Sequence, residues 1–241
     1  HKTPPKELIL DFDATNDSVH GHQVGRFFHG YYDEYCFLPL YVFAGSQLLV
    51  AYLRPADQDG ATHAWAILSR LVKRFRQVWP GVKILLRGDS GFCRWKMLRW
   101  CDRHEVSYLV GLAKNARLEA LARPLMEQAK ASVTAPQDRP RLFGEFSYAA
   151  QPWDKPRRIL AKAEYLPGQS PDDEAKENFR FLVTNLSAEA QPLYEQTYCQ
   201  RGEAENRIKE QQLGLFADRT SCHDFEANQL RVLLSAAAYV L

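Results

Sequence analysis

Residues 7–15 read ELILDFDAT, an apolar run that carries two aspartates and predicts a buried β-strand. Because side chains alternate along a strand, two faces are expected: Leu8, Leu10, Phe12 and Ala14 on one, and Ile9, Asp11 and Asp13 on the other. A carboxylate on a buried strand is costly unless it is paired, hydrogen-bonded or bound to a metal. The stretch therefore predicts both a core element and a position for chemistry.

The elements after this strand alternate between strands and helices, which favours an α/β fold with a mixed sheet flanked by helices. They are predicted as strands at 36–44 and 47–54, a helix at 60–79, a strand and turn at 83–92, a helix at 93–105 and a strand at 107–114. Ala-Gly-Ser suits a hairpin turn between the first two, and Pro80-Gly81 ends the first helix.

The pattern changes after about Asn115, where a helix is followed by three strand-like runs separated by loops rich in Pro, Gly and Asp. A helical pattern returns at about Ala188. We therefore expect a core formed by residues 1–131 and 187–241, with a β-rich insertion at 132–186. The chain does not begin with Met and ends inside an apolar helical pattern, so a core truncated at both ends is expected.

Composition excludes several classes of protein. The 241 residues are 46% hydrophobic, enough for one large domain, and no run of 18 apolar residues predicts a membrane span. The five Cys are odd in number and none forms a CxxC pair, which argues against a disulfide scaffold and a structural zinc site. Reduced thiols in a cytoplasmic protein are expected.

Positive charge is concentrated in the middle of the chain. Residues 51–130 contain 15 Lys and Arg against 7 Asp and Glu, whereas both flanks are acidic. This excess of positive charge lies beside the acidic motifs and favours a nucleic-acid partner. The alternative is that the basic residues form solvated helix faces and that the excess of Lys and Arg over Asp and Glu arises by chance. Around the second motif, the candidates for contact with such a partner, or for the same solvated face, are Arg87, Arg94, Lys96 and Arg99.

Three acids stand out by context. Asp13 ends one apolar strand, Asp89 ends another within RGDSGF, and Glu205 lies in a late helix. Carboxylate oxygens suit Mg²⁺ or Mn²⁺, and two such ions about 3.5–4 Å apart stabilise the attacking and leaving oxygens of phosphoryl transfer. The alternatives are that the two aspartates are turn residues and that Glu205 is a surface residue paired with Arg201 or Lys209.

The spacing of the late helix adds detail. At 100° per residue, one stripe contains Tyr198, Arg201, Glu205, Lys209 and Gln212. A carboxylate flanked by cations suits a metal ligand beside phosphates, and the Arg201 guanidinium would hold a phosphate with two parallel bonds.

Several stretches together resemble a known family: LDFDATND and HGHQ near the start, LRGDSGF at 86–92, and YCQRGEAENRIKE at 198–210. The chain resembles the bacterial insertion-sequence transposases of DDE group 1, which carry a Tyr-Arg-Glu-Lys signature. The resemblance implies an RNase H-like fold with a β-rich insertion between the second and third acids. It also implies a transposase that cleaves and transfers DNA strands with two Mg²⁺ or Mn²⁺ ions.

By motif, the catalytic and metal-binding acids would be Asp13, Asp89 and Glu205, and the family's Tyr and Arg fall on Tyr198 and Arg201. The signature's Lys falls on Gln212, so Lys209 is expected to substitute in DNA binding, and Asp11 is an alternative to Asp13. The expected partner is double-stranded DNA, both transposon ends and target, bound by a homodimer in the cytoplasm at the nucleoid. Two rivals are a nuclease on the same fold and an inactive DNA-binding remnant.

Overall fold

The computed structural model describes residues 4–135, 137–168 and 173–241. Within it, two compact units are formed: a first unit of residues up to Arg94 together with Arg201–Leu241, and a second unit of Trp95–Gln200. The predicted polar loop at 167–177 lies partly outside the described residues. No helix in the described ranges is long and apolar enough to cross a bilayer.

The elements follow the chain in this order: β1 (Glu7–Ala14), β2 (Asp17–Ser18), β3 (Phe27–His29), β4 (Glu34–Phe37), β5 (Leu40–Ala44), β6 (Gln47–Tyr52), α1 (Ala64–Val78), β7 (Lys83–Gly88), α2 (Trp95–Arg103), β8 (Ser107–Leu112), α3 (Ala116–Ala131), β9 (Arg141–Tyr148), β10 (Arg157–Leu166), β11 (Lys176–Thr184), α4 (Ala190–Pro192), α5 (Gly202–Leu215) and α6 (Phe225–Val240). Short helical turns at Ser90–Phe92, Leu193–Tyr198 and Cys199–Arg201 connect some of them.

The first unit is built on a sheet with the strand order β6-β5-β1-β7. β1 runs parallel to β7 and antiparallel to β5, and β5 and β6 form an antiparallel hairpin. Because β1 lies between two partners, Leu10 and Phe12 are buried on one side while Asp11 and Asp13 are also buried on the other. The mixed sheet and its helices confirm the predicted α/β class.

The helices α5 and α6 close one part of this core. Ala204 and Ile208 of α5 and Val232 of α6 are buried in a cluster with Phe37 and Phe43 from the strands. Burial of this apolar face fixes the helix that carries Glu205 against the unit that contains Asp13, so packing determines where the late acid lies.

A small three-stranded sheet in the order β2-β4-β3 was not predicted. The single strand expected at 36–44 is divided into β4 and β5, with Leu38 and Pro39 between them. Proline lacks a backbone N–H, so it interrupts the ladder of hydrogen bonds that a continuous strand needs. The break allows β4 to pair with β3 while β5 pairs with β1.

The second unit contains an antiparallel sheet in the order β8-β11-β10-β9. Its last three strands confirm the strand-like runs predicted between 141 and 186. The helix α3 packs on β9 and β10, and its buried residues follow helical spacing: Leu118, Ala122, Met126 and Ala129. The division into a core and an insertion at 132–186 stays a prediction.

Candidate active site

The first acid, Asp13, lies near the end of β1 and is only 8% exposed. The backbone N–H of Ala14 donates to its Oδ1 at 3.0 Å. The guanidinium of Arg201 lies 3.6 Å from its Oδ2, measured from Nη1. A buried carboxylate with one backbone donor and one cation nearby is well placed to hold a further positive group.

Electrostatics tie Asp13 to the other two candidate acids. Burial raises the pKa of Asp13 to about 7, the Arg201 guanidinium lowers it, and the carboxylates of Glu205 and Asp89 raise it further. Asp13 and Glu205 line one cavity and Asp89 lines a second cavity that shares Ala14, Tyr31 and Tyr32 with the first. Three separate elements of the first unit carry these acids.

The second acid, Asp89, directly follows β7 and begins a helical turn at Ser90–Phe92. Its Oδ1 accepts a hydrogen bond from the backbone N–H of Gly91 at 2.8 Å. The glycines of RGDSGF have steric roles here. A Cβ on Gly91 would lie 2.9 Å from the Asp89 Oδ1, and a Cβ on Gly88 would lie 3.0 Å from the side chain of Phe92. The motif thus fixes where the carboxylate points.

The third acid, Glu205, lies in the first turns of α5, and its side chain is 47% exposed. Its Oε1 accepts a hydrogen bond from Arg201 Nη2 at 2.6 Å. Arg201 therefore contacts Asp13 and Glu205 at once and supplies positive charge to both. Glu205, Lys209 and Gln212 line the same cavity, as their helical spacing predicts.

Two neighbouring cavities surround these acids. The Glu205 cavity, about 250 Å³, is lined by Asp13, Glu205 and Lys209 among others. The Asp89 cavity, about 340 Å³, is lined by Asp89 and the residues after it. Both cavities share walls formed by Ala14, Tyr31 and Tyr32. The acids therefore face two adjoining concave spaces that are open to a substrate.

The pKa of the Tyr32 hydroxyl is also affected by the charges of the candidate acids. Burial raises the pKa of Tyr32 to about 12, and the negative charges of Asp13 and Asp89 contribute in the same direction. Tyr32 therefore keeps its proton at neutral pH and can donate a hydrogen bond within the site.

The acidic side chains around the two cavities that could bind a divalent cation are the carboxylates of Asp13, Asp89 and Glu205. Within the part of the chain that the structure describes, no group of three or more His, Cys, Asp or Glu side chains is arranged to hold a metal ion. The chemistry nevertheless fits: the donors are carboxylate oxygens, which Mg²⁺ and Mn²⁺ prefer. Burial is the main reason that the pKa of Asp13 is raised, and a bound cation would relieve the further repulsion by Glu205 and Asp89.

Asp11, the alternative to Asp13, has a different environment. Both of its oxygens accept hydrogen bonds from Arg87, at 2.6 Å from Nε and 2.7 Å from Nη2. The two residues are 3% and 5% exposed. This buried, two-bonded pair links β1 to β7 where Asp11 and Arg87 are in register. The pair favours a structural role for both residues, and the buried Arg87 side chain is not exposed for contact with DNA.

Of the remaining candidate DNA contacts, Arg94 and Lys96 are exposed, whereas Tyr198 is half-buried. Arg94, in the first unit, is exposed and forms an ion pair with Asp59. Lys96, in the second unit, is exposed, with its ammonium 5.7 Å from the ring centroid of Trp95. Tyr198 lies in the second unit beside Tyr194, with ring centroids 5.9 Å apart. Gln212 donates from Nε2 to the carbonyl of Asn16 at 3.2 Å, so it anchors α5 to the chain after β1.

Sequence reasoning missed Tyr31 and Tyr32, which line both cavities. The available signal was RFFHGYYDEY at 26–35, a polar stretch with five aromatic residues that forms no apolar stripe. It also missed Asp17, which is 1% exposed beside Thr220. Burial raises the pKa of Asp17 to about 7, the Thr220 hydroxyl lowers it, and Asp218 and Glu34 raise it.

Comparison with solved structures found a cryo-EM structure of the piggyBac transposase synaptic complex with hairpin DNA. The two chains are 14% identical with a TM-score of 0.47, and the match covers 99% of this chain and 46% of that one. This chain therefore spans less than half the length of that protein. No significant match was found among curated proteins.

The matching protein family is the one described as Transposase DDE domain group 1, and the match extends over residues 1–241. The resemblance inferred from the acidic motifs is thus confirmed at the level of the family. The three acids on which that inference depended are those that the fold gathers around the two cavities. The chain belongs to the transposase DDE domain group 1 family.

Proposed function

We propose that this chain is the catalytic part of an insertion-sequence transposase that cleaves and joins DNA strands with Asp13, Asp89 and Glu205. The observation that supports the proposal best is geometric: Arg201 contacts both Asp13 and Glu205, which line one cavity, and Asp89 lines the adjoining cavity. Carboxylates from two strand ends and a helix are difficult to keep together unless a cation belongs there. Membership of the transposase family gives the reaction class.

The three acids would hold two divalent ions, Mg²⁺ or Mn²⁺. When bound, these ions would supply a nucleophile at neutral pH and neutralise charge that develops on the phosphate. The contribution of the chain's own residues is positional. The turn after β7 fixes the Asp89 carboxylate, and the packing of α5 fixes Glu205. Rigid placement of this kind lowers the barrier because little reorganisation is needed during reaction.

Arg201 and Lys209 would bind the DNA backbone beside the acids. The Arg201 guanidinium contacts the carboxylates of both Asp13 and Glu205, so it is close to where a scissile phosphate would lie. Lys209 lines the cavity that contains Glu205. A planar guanidinium grips a phosphate with two bonds, whereas an ammonium acts as a point charge. Arg94, Lys96 and Tyr198 are proposed as further backbone contacts.

The substrate would be double-stranded DNA, first a transposon end and then a target, held by a homodimer. Because such contacts are mostly with phosphates, binding should weaken steeply with salt. A nuclease on the same fold would cleave without joining, and an inactive remnant would bind DNA and do neither. These alternatives differ in products, so one experiment separates them.

The experiment incubates the protein with supercoiled plasmid carrying the element's ends and Mn²⁺, and follows nicking and joining on gels. The variants Asp13→Asn, Asp89→Asn and Glu205→Gln are each expected to reduce nicking by at least a hundredfold while DNA binding persists. Glu203→Gln is the matched control, since Glu203 is an exposed acid of the same helix. Nicking without joining would favour the nuclease, and retention of nicking by all three variants would refute the proposed site.

A further inference from the structure

The folded protein neutralises much of the positive charge that is concentrated in the middle of the chain. Residues 51–130 contain 15 Lys and Arg against 7 Asp and Glu. Arg54 is buried and donates to backbone carbonyls. Several other cations of this range form ion pairs with carboxylates: Arg87, Arg94, Arg99, Arg123 and Lys130. The cations that form no ion pair therefore determine where a polyanion could bind.

The helix α1 carries four basic residues and no Asp or Glu. Three of the four are exposed, namely Arg70, Lys73 and Arg74. Among the ion pairs of the residues that the structure describes, none involves these three side chains. Their charge is therefore available to a negatively charged partner.

The three cations share one side of α1, which we call the basic face. At 100° per residue, Arg70, Lys73 and Arg74 fall within about 100° of one another. The buried residues of the helix lie on the opposite side: Ala64, Leu68 and Val72. Because packing of the apolar side fixes the orientation of the helix, the basic face is held outward.

The beginning of α1 lies beside the candidate active site. Gly60, in the loop before the helix, lines the Asp89 cavity. The Arg54 guanidinium donates to the carbonyls of Gly60 and Thr62, each at 2.8 Å, and so fixes this loop. With a rise of 1.5 Å per residue, the basic face begins about 9 Å along the helix from Ala64 and ends at about 15 Å. A duplex with a phosphate at the Asp89 cavity could therefore extend along α1.

The chemistry of the basic face suits a phosphate backbone. Arg70 and Arg74 are separated by about 6 Å along the helix axis, close to the axial length of two successive phosphates of one DNA strand. A guanidinium holds a phosphate with two parallel bonds, and the ammonium of Lys73 adds a point charge between the two arginines.

We infer that the basic face of α1 holds the phosphate backbone of a DNA duplex to one side of the bond that is cleaved. The inference rests on the proposed function and adds to it a surface outside the two cavities. The role is binding and positioning: contacts with phosphates fix the duplex in place without reading its sequence. The surface should therefore act equally on duplexes of any sequence.

The test compares a triple variant, Arg70→Gln with Lys73→Gln and Arg74→Gln, with its parent by fluorescence anisotropy at several salt concentrations. One labelled duplex carries an element end, and a second of equal length has an unrelated sequence. Every protein carries Asp89→Asn so that the DNA stays intact. The loss of three phosphate contacts should lower the slope of log affinity against log salt by about 2–3 on both duplexes.

A matched control removes the same charge elsewhere. It combines Lys83→Gln, Arg103→Gln and Lys114→Gln, three exposed cations that lie on separate elements. The slope of this control should change by less than about 1. Because all six side chains are exposed, both triple variants should melt within a few degrees of the parent.

Hydroxyl-radical footprinting gives the position of the contact. The parent should protect the phosphodiester that is cleaved and a stretch of backbone to one side of it. The triple variant of α1 should lose the protection of that stretch and keep protection at the cleaved bond.

Several outcomes would overturn the inference. An unchanged salt slope or footprint for the α1 variant would do so, as would an equal loss of slope in the control, which would reflect net charge alone. A loss confined to the end-bearing duplex would show that the face reads sequence. If the protein without Asp89→Asn nicks plasmid normally, any of these results defeats the inference alone. Failure to bind or nick any DNA defeats the proposed function as well.

Discussion

Replacement of Arg87 by methionine tests whether the pair with Asp11 is structural. The substitution keeps much of the apolar stem but leaves the Asp11 carboxylate buried, since both residues are at most 5% exposed and joined by two hydrogen bonds. Removal of one member of such a pair costs about 3–5 kcal/mol in the free energy of unfolding. For a chain of this size the melting temperature should fall by about 6–20 °C.

The assay is a double-mutant cycle followed by urea denaturation and by calorimetry at pH 7. The double variant Asp11→Leu with Arg87→Met removes both charges together, so it should be much closer to wild type than Arg87→Met alone. Arg94→Met is the matched control. Arg94 and Asp59 form an ion pair whose side chains are 46% and 53% exposed, so its loss should change the free energy of unfolding by less than about 1 kcal/mol.

A structural role for the pair is refuted if the free energy of unfolding of Arg87→Met lies within about 1 kcal/mol of wild type, as that of the exposed control should. It is also refuted if the double variant is as unstable as the single one, because the cost would then come from lost packing rather than from an unpaired charge. Either result would reopen Asp11 as a candidate metal ligand and Arg87 as a candidate DNA contact.

Three further results are expected. Asp17→Asn should reduce the pH dependence of stability, because the folded pKa of Asp17, about 7, exceeds the ordinary 3.8 and the native carboxyl holds its proton to higher pH than the unfolded one. This group alone should lower the free energy of unfolding of wild type by up to about 4 kcal/mol between pH 4 and pH 8. Denaturant melts at both pH values measure it, and equal slopes for the two proteins would contradict it. Arg201→Lys should lower plasmid nicking at least tenfold because an ammonium cannot make two parallel bonds to a phosphate; a rate equal to wild type would remove Arg201 from the site. Lys96→Ala should lower the slope of log affinity against log salt by about 0.9, measured by fluorescence anisotropy, and an unchanged slope would show that Lys96 contacts no phosphate.

The sequence predicts the parts of the molecule that local physics controls. The apolar runs at 7–14 and 83–88 form strands that are largely buried. Asp13 and Asp89 could be chosen as candidate acids because they lie at the ends of those runs. The helical spacing of Glu205, Lys209 and Gln212 correctly places them along one cavity. That the three acids form one catalytic set stays a prediction that depends on the family resemblance, since no local pattern reports which strands are neighbours.

What the sequence does not predict depends on tertiary partners. Arg87 looks like a DNA contact in a basic stretch, yet it is buried because β1 pairs with β7 in the register that meets Asp11. The strand break at Pro39 is consistent with the missing N–H donor of proline. Tyr31 belongs to no periodic sequence pattern, and only the folded structure shows that it lines both cavities.

Binding of divalent cations by Asp13, Asp89 and Glu205 is measured most directly by anomalous diffraction from crystals soaked in Mn²⁺. We expect two peaks about 3.5–4 Å apart, each about 2.0–2.6 Å from carboxylate oxygens of these three residues, with Asp11 still bonded to Arg87. Peaks on Asp11, or an empty map around Asp13 at a Mn²⁺ concentration that supports nicking, would contradict it.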